Sequence, residues 1–281
     1  MTRTLRAVAT EPTISIVLPV RNEARNLEIV LPELPTVHEV ILVDGHSSDD
    51  TIAVARRLMP DIRVISQTRK GKGNALVCGF AAATGDIVVM FDGDGSADPA
   101  EIPAFVAALT AGADFAKGSR FLPGGGSHDI TRYRSLGNKG LNLITTLLLK
   151  TRYTDLCYGY NAFWTDILHH VDLPDPHIAV ANTSGMMWGD GFEIETVLNC
   201  RIAHADLDVR EVPSIERSRI HGESNLNAIR DGLRVLKTIM AERATANRTR
   251  RQIAEINRLA SIETSHRPTV TVILDPAEDT A

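Results

Sequence analysis

The stretch IVVMFDGDGSADP, residues 87–99, carries the clearest sign of the fold in this sequence. Its first five residues are all apolar, and three of them are β-branched. An unbroken run of this kind suits a strand that is covered on both faces, as in a parallel sheet. Asp98 and Pro99 then form a good helix cap and first-turn pair. A buried strand followed at once by a helix predicts a βα unit.

The same alternation of strand and helix extends to both sides of this unit. The predicted strands are Ile14–Pro19, Val40–Asp44, Ile62–Ser66, Ile87–Asp92 and Phe115–Gly118, and the predicted helices are Ala24–Leu34, Asp49–Met59, Asn74–Ala83, Asp98–Ala111 and Tyr133–Leu149. Strands that alternate with helices predict βαβ units and an open α/β sheet.

The length allows one large domain or two small ones, because hydrophobic cores stop growing at roughly 250–300 residues. We expect a flexible N-terminus at residues 1–12, the α/β domain at 13–226, a helical extension at 227–262 and a loosely ordered tail at 263–281.

The composition is that of a soluble globular protein and excludes several classes. A formal net charge of -5 argues against non-specific binding to nucleic acid, which needs an excess of basic side chains. Three cysteines are an odd number without a CxxC spacing, which indicates reduced thiols in a cytoplasmic protein. The apolar runs are far shorter than the roughly 20 residues that cross a bilayer. We therefore expect a cytoplasmic location.

The acidic turn after the fourth strand is the first candidate site. In an open α/β sheet, ligands bind just beyond the carboxyl ends of the strands. Asp92 and Asp94 are close enough in sequence to reach one hard cation together, and Gly93 and Gly95 allow a ligand to approach the backbone. Mg²⁺ prefers one or two carboxylates together with phosphate oxygens. The turn therefore predicts a divalent metal, Mg²⁺ or Mn²⁺, and a diphosphate-bearing substrate.

Other ligand classes fit the sequence less well. A calcium loop of the EF-hand type is excluded, because Ala97 and Pro103 stand where that loop needs glycine and glutamate. The first strand is not followed by the glycine fingerprint of dinucleotide-binding enzymes, and a P-loop motif is missing. A plain polar turn without a ligand stays open on the motif alone.

Six motifs in order resemble the family 2 glycosyltransferases of GT-A fold, closest to the polyprenyl-phosphate branch typified by dolichol-phosphate mannose synthase. They are IVLPVRNEARNL (16–27), LVDGHSSDDT (42–51), KGKGNALVCGFAAATGDIVVMFDGDGSADP (70–99), GSRF (118–121), TDLCYGYNAF (154–163) and EVPSIERSRIHGESNL (211–226). The resemblance implies a Rossmann-like sheet flanked by helices, with a helical C-terminal extension. It also implies transfer of a hexose, with inversion, from a nucleotide-diphosphate sugar such as UDP-glucose or GDP-mannose.

The resemblance assigns the donor to the ends of the first two strands. Pro19, Asn22 and Glu23 lie where the nucleotide is expected, and Glu23 would accept hydrogen bonds from the ribose or base. Asp44 resembles the carboxylate that reads the nucleobase. Its surroundings depart from the family, because His46 follows where many relatives carry a different turn residue.

A second group is expected at the diphosphate. Gly71 allows the backbone to approach the nucleoside closely, and Lys72 is expected at the phosphates. Asp92 and Asp94 resemble the metal-binding pair of the family, with Asp94 as the direct ligand and Gly93 between them. A metal there neutralises the charge that builds up on the departing nucleoside diphosphate.

The acceptor is expected to be polyprenyl phosphate. Arg120, Arg134 and Arg219 resemble arginines that hold the acceptor phosphate, for which the planar guanidinium is well suited. An ionised phosphate needs no general base. If the acceptor is instead a hydroxyl group, a base is required, and Asp190 is the best candidate.

Three further points stay open at this stage. A non-catalytic regulator that binds nucleotide sugars is the rival from another functional class. The basic C-terminal helix allows contact with an anionic membrane surface at its inner face. A homodimer is also compatible with the sequence.

Overall fold

The computed structural model of the chain describes residues 11–128, 130–149, 151, 153–180, 185–222 and 228–265. The chain divides into two compact units, Met1–Arg243 and Ala244–Ala281. The division into four parts that the sequence suggests stays a prediction. Most of the expected N-terminal segment and of the expected tail lies outside the described residues.

A seven-stranded sheet forms the centre of the first unit. The described strands, including two that lie outside this sheet, are β1 (Ile14–Val20), β2 (Glu39–Asp44), β3 (Arg63–Ser66), β4 (Ile87–Met90), β5 (Phe115–Ser119), β6 (Gly126–Ser127), β7 (Asn161–Trp164), β8 (Val209–Pro213) and β9 (Ile215–Glu216). Their order in the sheet is β3-β2-β1-β4-β7-β5-β8, and β6 pairs with β9 in a separate small sheet. Only β7 runs antiparallel to its neighbours, β4 and β5. The mostly parallel sheet confirms the expected α/β class.

Seven α-helices accompany the described strands. They are α1 (Ala24–Glu33), α2 (Thr51–Leu58), α3 (Lys72–Ala82), α4 (Ile102–Thr110), α5 (Arg132–Leu149), α6 (Ile194–His204) and α7 (Ala228–Ser265). A 3₁₀ turn precedes α4, and the Asp98 side chain caps it by accepting a hydrogen bond from the Ala100 N–H at 3.0 Å. No described helix is both long enough and apolar enough to cross a bilayer.

The core lies on both faces of the central strands. Ile16 and Leu18 of β1, Leu42 of β2 and Val89 of β4 are fully buried. Side chains on successive residues of these strands are buried, which is the pattern of a parallel sheet covered on both faces. β3 begins with an exposed residue and ends with one, as befits its position at the sheet edge.

Helix α3 packs very closely on the sheet through Gly79. A Cβ atom at Gly79 would lie 2.2 Å from Val17 Cγ1 and 3.1 Å from Val43 Cγ2. Glycine is therefore required for packing, although it weakens a helix relative to alanine. The close approach also fixes the N-terminus of α3 beside the carboxyl ends of β1 and β2.

Replacing Gly79 by alanine tests this packing. We expect Gly79→Ala to lower the free energy of unfolding by about 1–3 kcal/mol, the usual cost of overpacking a core. Gly140→Ala is the matched control, because a Cβ at this helical position meets nothing within 4 Å. The control is expected to raise the free energy of unfolding by up to about 1 kcal/mol. Urea unfolding measures the free energy of unfolding of both variants. Equal stabilisation by the two substitutions would contradict the close packing of α3 on the sheet at Gly79.

Candidate active site

Two parallel strands, β1 and β4, bring acidic side chains to one edge of the sheet. Glu23 follows β1, and Asp92 and Asp94 follow β4. Removal from water raises the pKa of Glu23, and the negative charges of the two aspartates raise it further. A hydrogen bond from Asn26 and the positive charge of Arg219 oppose this rise. The three carboxylates thus interact at the carboxyl edge of the sheet.

Two basic side chains neutralise part of this charge. Lys72 Nζ lies 2.9 Å from a carboxylate oxygen of Asp92 and 2.9 Å from Glu195 Oε1. Arg219 lies 2.8 Å from Asp94 Oδ2 and 3.4 Å from Glu23 Oε1. These residues, Glu23, Lys72, Asp92, Asp94, Glu195 and Arg219, are called the charge cluster below. The cluster combines four carboxylates with two cations, and its excess of negative charge suits a divalent cation.

The protonation of Lys72 is set by its neighbours. Burial by itself lowers the pKa of an ammonium group, but the carboxylates of Asp92 and Glu195 raise the pKa of Lys72 well above its usual value. Removal from water raises the pKa of Asp92, Lys72 opposes this effect, and Asp94 adds to it. Lys72 therefore stays charged at neutral pH.

The donor atoms of the acidic turn fit Mg²⁺ or Mn²⁺. Asp94 Oδ1 accepts hydrogen bonds from the Ser96 N–H at 3.0 Å and the Ser96 hydroxyl at 2.6 Å, which holds the turn. Within the described part of the chain, no group of three or more His, Cys, Asp or Glu side chains is arranged to hold a metal ion by itself. An ion held by Asp92 and Asp94 would complete its shell with substrate oxygens and water, as Mg²⁺ commonly does.

Two residues of this site escaped the sequence analysis. Glu195 lies in the first turn of α6, where a carboxylate is equally explained by the helix dipole. Gly159 precedes β7, and a Cβ there would lie 3.2 Å from Glu195 Oε1 and 3.4 Å from Lys72 Nζ. The only sequence signal for Gly159 is its place in the motif TDLCYGYNAF.

Asp190 has a different environment from the one expected. It is fully buried, and its two oxygens accept hydrogen bonds from Arg69 Nε and Nη2 at 2.7 and 2.8 Å. The Met187 N–H also donates to it, at 2.6 Å. A general base must reach the attacking oxygen with a free lone pair. In this structure the carboxylate anchors its segment, and its expected role as a base stays a prediction.

Arg120 also has a structural role. Its guanidinium donates to both oxygens of Asp155 at 2.7 and 2.9 Å and to Glu216 at 3.0 Å. It also lies over the Tyr158 ring, 4.8 Å from the ring centroid, and the residue is 8% exposed. Two carboxylates thus engage Nε, Nη1 and Nη2 of Arg120, and its expected role at the acceptor phosphate stays a prediction.

The glycines of the two turns approach the protein itself. A Cβ at Gly71, whose φ is +108°, would lie 2.1 Å from the Asp190 carbonyl oxygen. A Cβ at Gly93 would lie 2.8 Å from Val20 Cγ1, and one at Gly95 would lie 2.4 Å from Ile220 Cδ1. The close approach on the Cβ side of these glycines is internal packing, and their expected contact with a ligand stays a prediction.

The loops after β1 and β2 are joined by hydrogen bonds. Asn22, at φ +57°, accepts a bond from the Ser48 N–H at 2.8 Å, and its own N–H donates to Ser47 Oγ at 2.9 Å. Asp44 is 3% exposed and accepts from the Ser47 N–H at 3.2 Å. Pro19 lies within β1, opposite Val43 of β2. The role of these residues at a nucleotide stays a prediction.

Helix α5 carries a buried polar residue, Asn138. Asn138 is 5% exposed, and neither of its side-chain polar atoms has a hydrogen-bond partner among the described residues. Position 134 lies one turn earlier on α5, and the Arg134 side chain is outside the described part of the structure. A cavity of about 460 Å³ lies beside this turn. It is lined by Ile130, Ser135, Leu136 and Lys139.

The outer side of α5 is strongly apolar. Leu136, Leu143 and Leu147, called the leucine face below, are 70%, 61% and 71% exposed. Their spacing places them on one side of the helix. Exposed leucines at this density on one helix indicate a contact surface.

Comparison with known proteins places these features in a family. Residues 15–172 match the family described as Glycosyl transferase family 2. The polyprenol monophosphomannose synthase of Mycolicibacterium smegmatis is 34% identical over 170 residues, which are 56% of this chain and 64% of that protein. The dolichol-phosphate mannosyltransferase of Pyrococcus furiosus is 32% identical over 170 residues, 57% of this chain and 48% of that protein.

An uncharacterized glycosyltransferase of Mycobacterium tuberculosis is 40% identical over 107 residues, which cover 38% of this chain and 48% of that protein. The chain thus spans about half the length of two of these relatives, and 64% of the third.

Solved structures share the fold. Glucosyl-3-phosphoglycerate synthase from Mycobacterium tuberculosis, in complex with Mn²⁺, UDP and glucosyl-3-phosphoglycerate, matches with a TM-score of 0.61 and 23% identity. The match covers 83% of this chain and 80% of that one. A mycobacterial protein matches with a TM-score of 0.63 and 22% identity, over 83% and 75% of the two chains. The expected GT-A fold is confirmed. By the family match over more than half of its length, this chain belongs to glycosyl transferase family 2.

Proposed function

We propose that the protein is a hexosyltransferase that moves a sugar from a nucleotide-diphosphate donor to polyprenyl phosphate, with inversion at the anomeric carbon. The charge cluster at the carboxyl edge of the sheet carries the proposal. Its excess of carboxylates suits a divalent ion, and its two cations suit phosphate groups. Relatives named as polyprenol and dolichol-phosphate mannosyltransferases support the choice of acceptor.

The positions of the charges support an assignment of the donor end of the site. Asp92 and Asp94 would hold Mg²⁺ or Mn²⁺ against the diphosphate. The ion supplies Lewis-acid stabilisation of the leaving nucleoside diphosphate. Lys72 stays charged beside Asp92 and adds a second positive charge for the same phosphates. Glu23 lies on the side of the cluster where the nucleotide is expected.

The reaction balances without a proton transfer to the protein. A phosphate oxygen of the acceptor forms a bond to the anomeric carbon while the bond from that carbon to the diphosphate oxygen breaks. The bonding electrons leave with the nucleoside diphosphate, and the product is a glycosyl phosphate. This chemistry needs no general base, in keeping with the buried pairing of Asp190 and Arg69.

Features of α5 support a lipid phosphate as the acceptor. Asn138 has two polar side-chain atoms with no hydrogen-bond partner among the described residues, and the same helix carries the leucine face and contributes Leu136 and Lys139 to the cavity. Lys139, at the edge of that face, is exposed. Exposed leucines beside a lysine suit the boundary between prenyl chains and anionic headgroups. We therefore propose peripheral contact with the inner face of a membrane through α5.

A small acceptor is the second candidate. The solved structure of glucosyl-3-phosphoglycerate synthase contains a small phosphorylated product, and its fold matches this chain. A hydroxyl acceptor needs a base. The burial of Asp190 in an ion pair argues against it as that base, so the lipid phosphate has more support. The proposals of a homodimer and of a nucleotide-sugar-binding regulator gain no support from these contacts.

Removal of Asp94 tests the metal role. UDP-glucose and GDP-mannose are incubated with the protein and Mn²⁺, and release of nucleoside diphosphate is measured. We expect Asp94→Ala to reduce release by about 10²-fold or more, because it removes the electrostatic stabilisation of the leaving group. EDTA should have the same effect. Asp61→Ala, at an exposed loop position, is the control. Undiminished release with EDTA would contradict the metal role.

Variants on α5 test the acceptor. Asn138→Leu and Arg134→Ala are expected to lower kcat/KM for a short polyprenyl phosphate by about ten- to a hundredfold, the value of a hydrogen bond to a charged group. Donor hydrolysis should change little. Gly140→Ala, on the same helix, is the control. Equal loss of donor hydrolysis and of transfer would contradict the placement of the acceptor at α5.

Variants of Asp190 distinguish a phosphate acceptor from a hydroxyl acceptor. Asp190→Asn should destabilise the fold by about 3–5 kcal/mol, since it leaves Arg69 buried without its counter-ion. The double variant Arg69→Met with Asp190→Leu should recover most of that loss. We expect the folded double variant to retain transfer within a few-fold of wild type. If the double variant is fully folded and its rate of transfer falls by about 10²–10⁴-fold, Asp190 acts as a general base instead.

A further inference from the structure

Arg219 lies on the carboxylate that is expected to bind the metal ion. Its guanidinium is 2.8 Å from Asp94 Oδ2, while Asp94 Oδ1 is occupied by Ser96. A second contact joins it to Glu23 at 3.4 Å. A divalent ion needs the same lone pairs of Asp94 Oδ2, so the ion and Arg219 compete for one oxygen.

The backbone around Arg219 is fixed on the acidic turn. The Arg217 N–H donates to the Ser96 carbonyl at 2.8 Å, and the Ile220 N–H donates to the Asp94 carbonyl at 3.2 Å. The His221 N–H donates to Asn26 Oδ1 at 3.0 Å. The segment therefore lies against the turn through main-chain contacts. The Arg219 side chain can change its rotamer without breaking these backbone contacts.

The two cations of the charge cluster are held unequally. Lys72 has two carboxylate partners at 2.9 Å, and its side chain is 19% exposed. Arg219 has one close partner and one at 3.4 Å, and its side chain is 32% exposed. A partly exposed ion pair contributes little free energy, typically less than about 1 kcal/mol. Of the two cations, Arg219 is therefore the one held less firmly.

We infer that Arg219 is an internal competitor of the metal ion: it covers Asp94 in the substrate-free protein and leaves it for a substrate phosphate when the ion binds. The inference rests on the proposed function. The ion frees the guanidinium for an anion, and an anion that takes the guanidinium frees Asp94 for the ion. Each ligand therefore strengthens the binding of the other by the same factor.

The test measures Mn²⁺ binding to the full chain, without nucleotide, by electron paramagnetic resonance. Arg219→Gln removes the competing charge and keeps the polar side chain. We expect it to tighten Mn²⁺ binding by about three- to tenfold, the range for loss of one exposed ion pair and of one repelling charge. Arg217→Gln is the matched control, because Arg217 belongs to the same segment but pairs with Asp98 and Glu33. The control should bind Mn²⁺ as wild type does.

A second measurement tests the coupling. Methyl phosphate, a monoester like the proposed acceptor, should tighten Mn²⁺ binding to wild type and to Arg217→Gln, but not to Arg219→Gln. Unchanged or weaker Mn²⁺ binding in Arg219→Gln would overturn the inference and leave the proposed function intact. If no variant binds Mn²⁺, even with UDP or GDP, the proposed function fails as well.

Discussion

The pairing of Lys72 with Asp92 and Glu195 is the contact on which the candidate site depends. It joins the first turn of α3, the turn after β4 and the first turn of α6, which are far apart in the chain. Without the ammonium group, two carboxylates would face each other in a partly buried position, where like charges repel strongly. One partly buried cation therefore allows the acidic edge to form in the folded protein.

The fold supports this contact through close backbone approaches. Gly79 lets α3 lie against β1 and β2, which brings the N-terminus of α3 to the carboxyl edge of the sheet. Gly73 lets the same turn lie against Gly189, where a Cβ would meet the carbonyl oxygen at 1.9 Å. Arg69 and Asp190 then hold these two segments together with a buried, bidentate ion pair. Asp190, the candidate base, thus joins the segment before α3 to the segment before α6.

Local sequence predicts those parts of the site that depend on neighbours in the chain. The apolar run before Asp92 and Asp94 predicts both a buried strand and the position of the acidic turn at its end. Strand β7 was not predicted, because four residues inserted antiparallel into a parallel sheet leave no distinct local pattern. Its insertion places Gly159 beside the charge cluster.

Charged residues were the hardest to interpret, since their role depends on partners distant in sequence. Arg120 is expected at a phosphate, and only the structure shows that Asp155 and Glu216 accept hydrogen bonds from it. Glu195 could be explained by its place at a helix start, and only the structure joins it to Lys72. A motif identifies the type of a side chain, whereas burial and pairing decide whether it meets a substrate.

The central claim is that Asp92 and Asp94 bind a divalent ion against the diphosphate of the donor. Anomalous diffraction at the manganese edge, from crystals of the protein with Mn²⁺ and UDP or GDP, tests it directly. The account predicts one strong peak at coordination distance from Asp94 and from the diphosphate oxygens. A peak elsewhere, or a bound nucleotide with no ion at this turn, would contradict it.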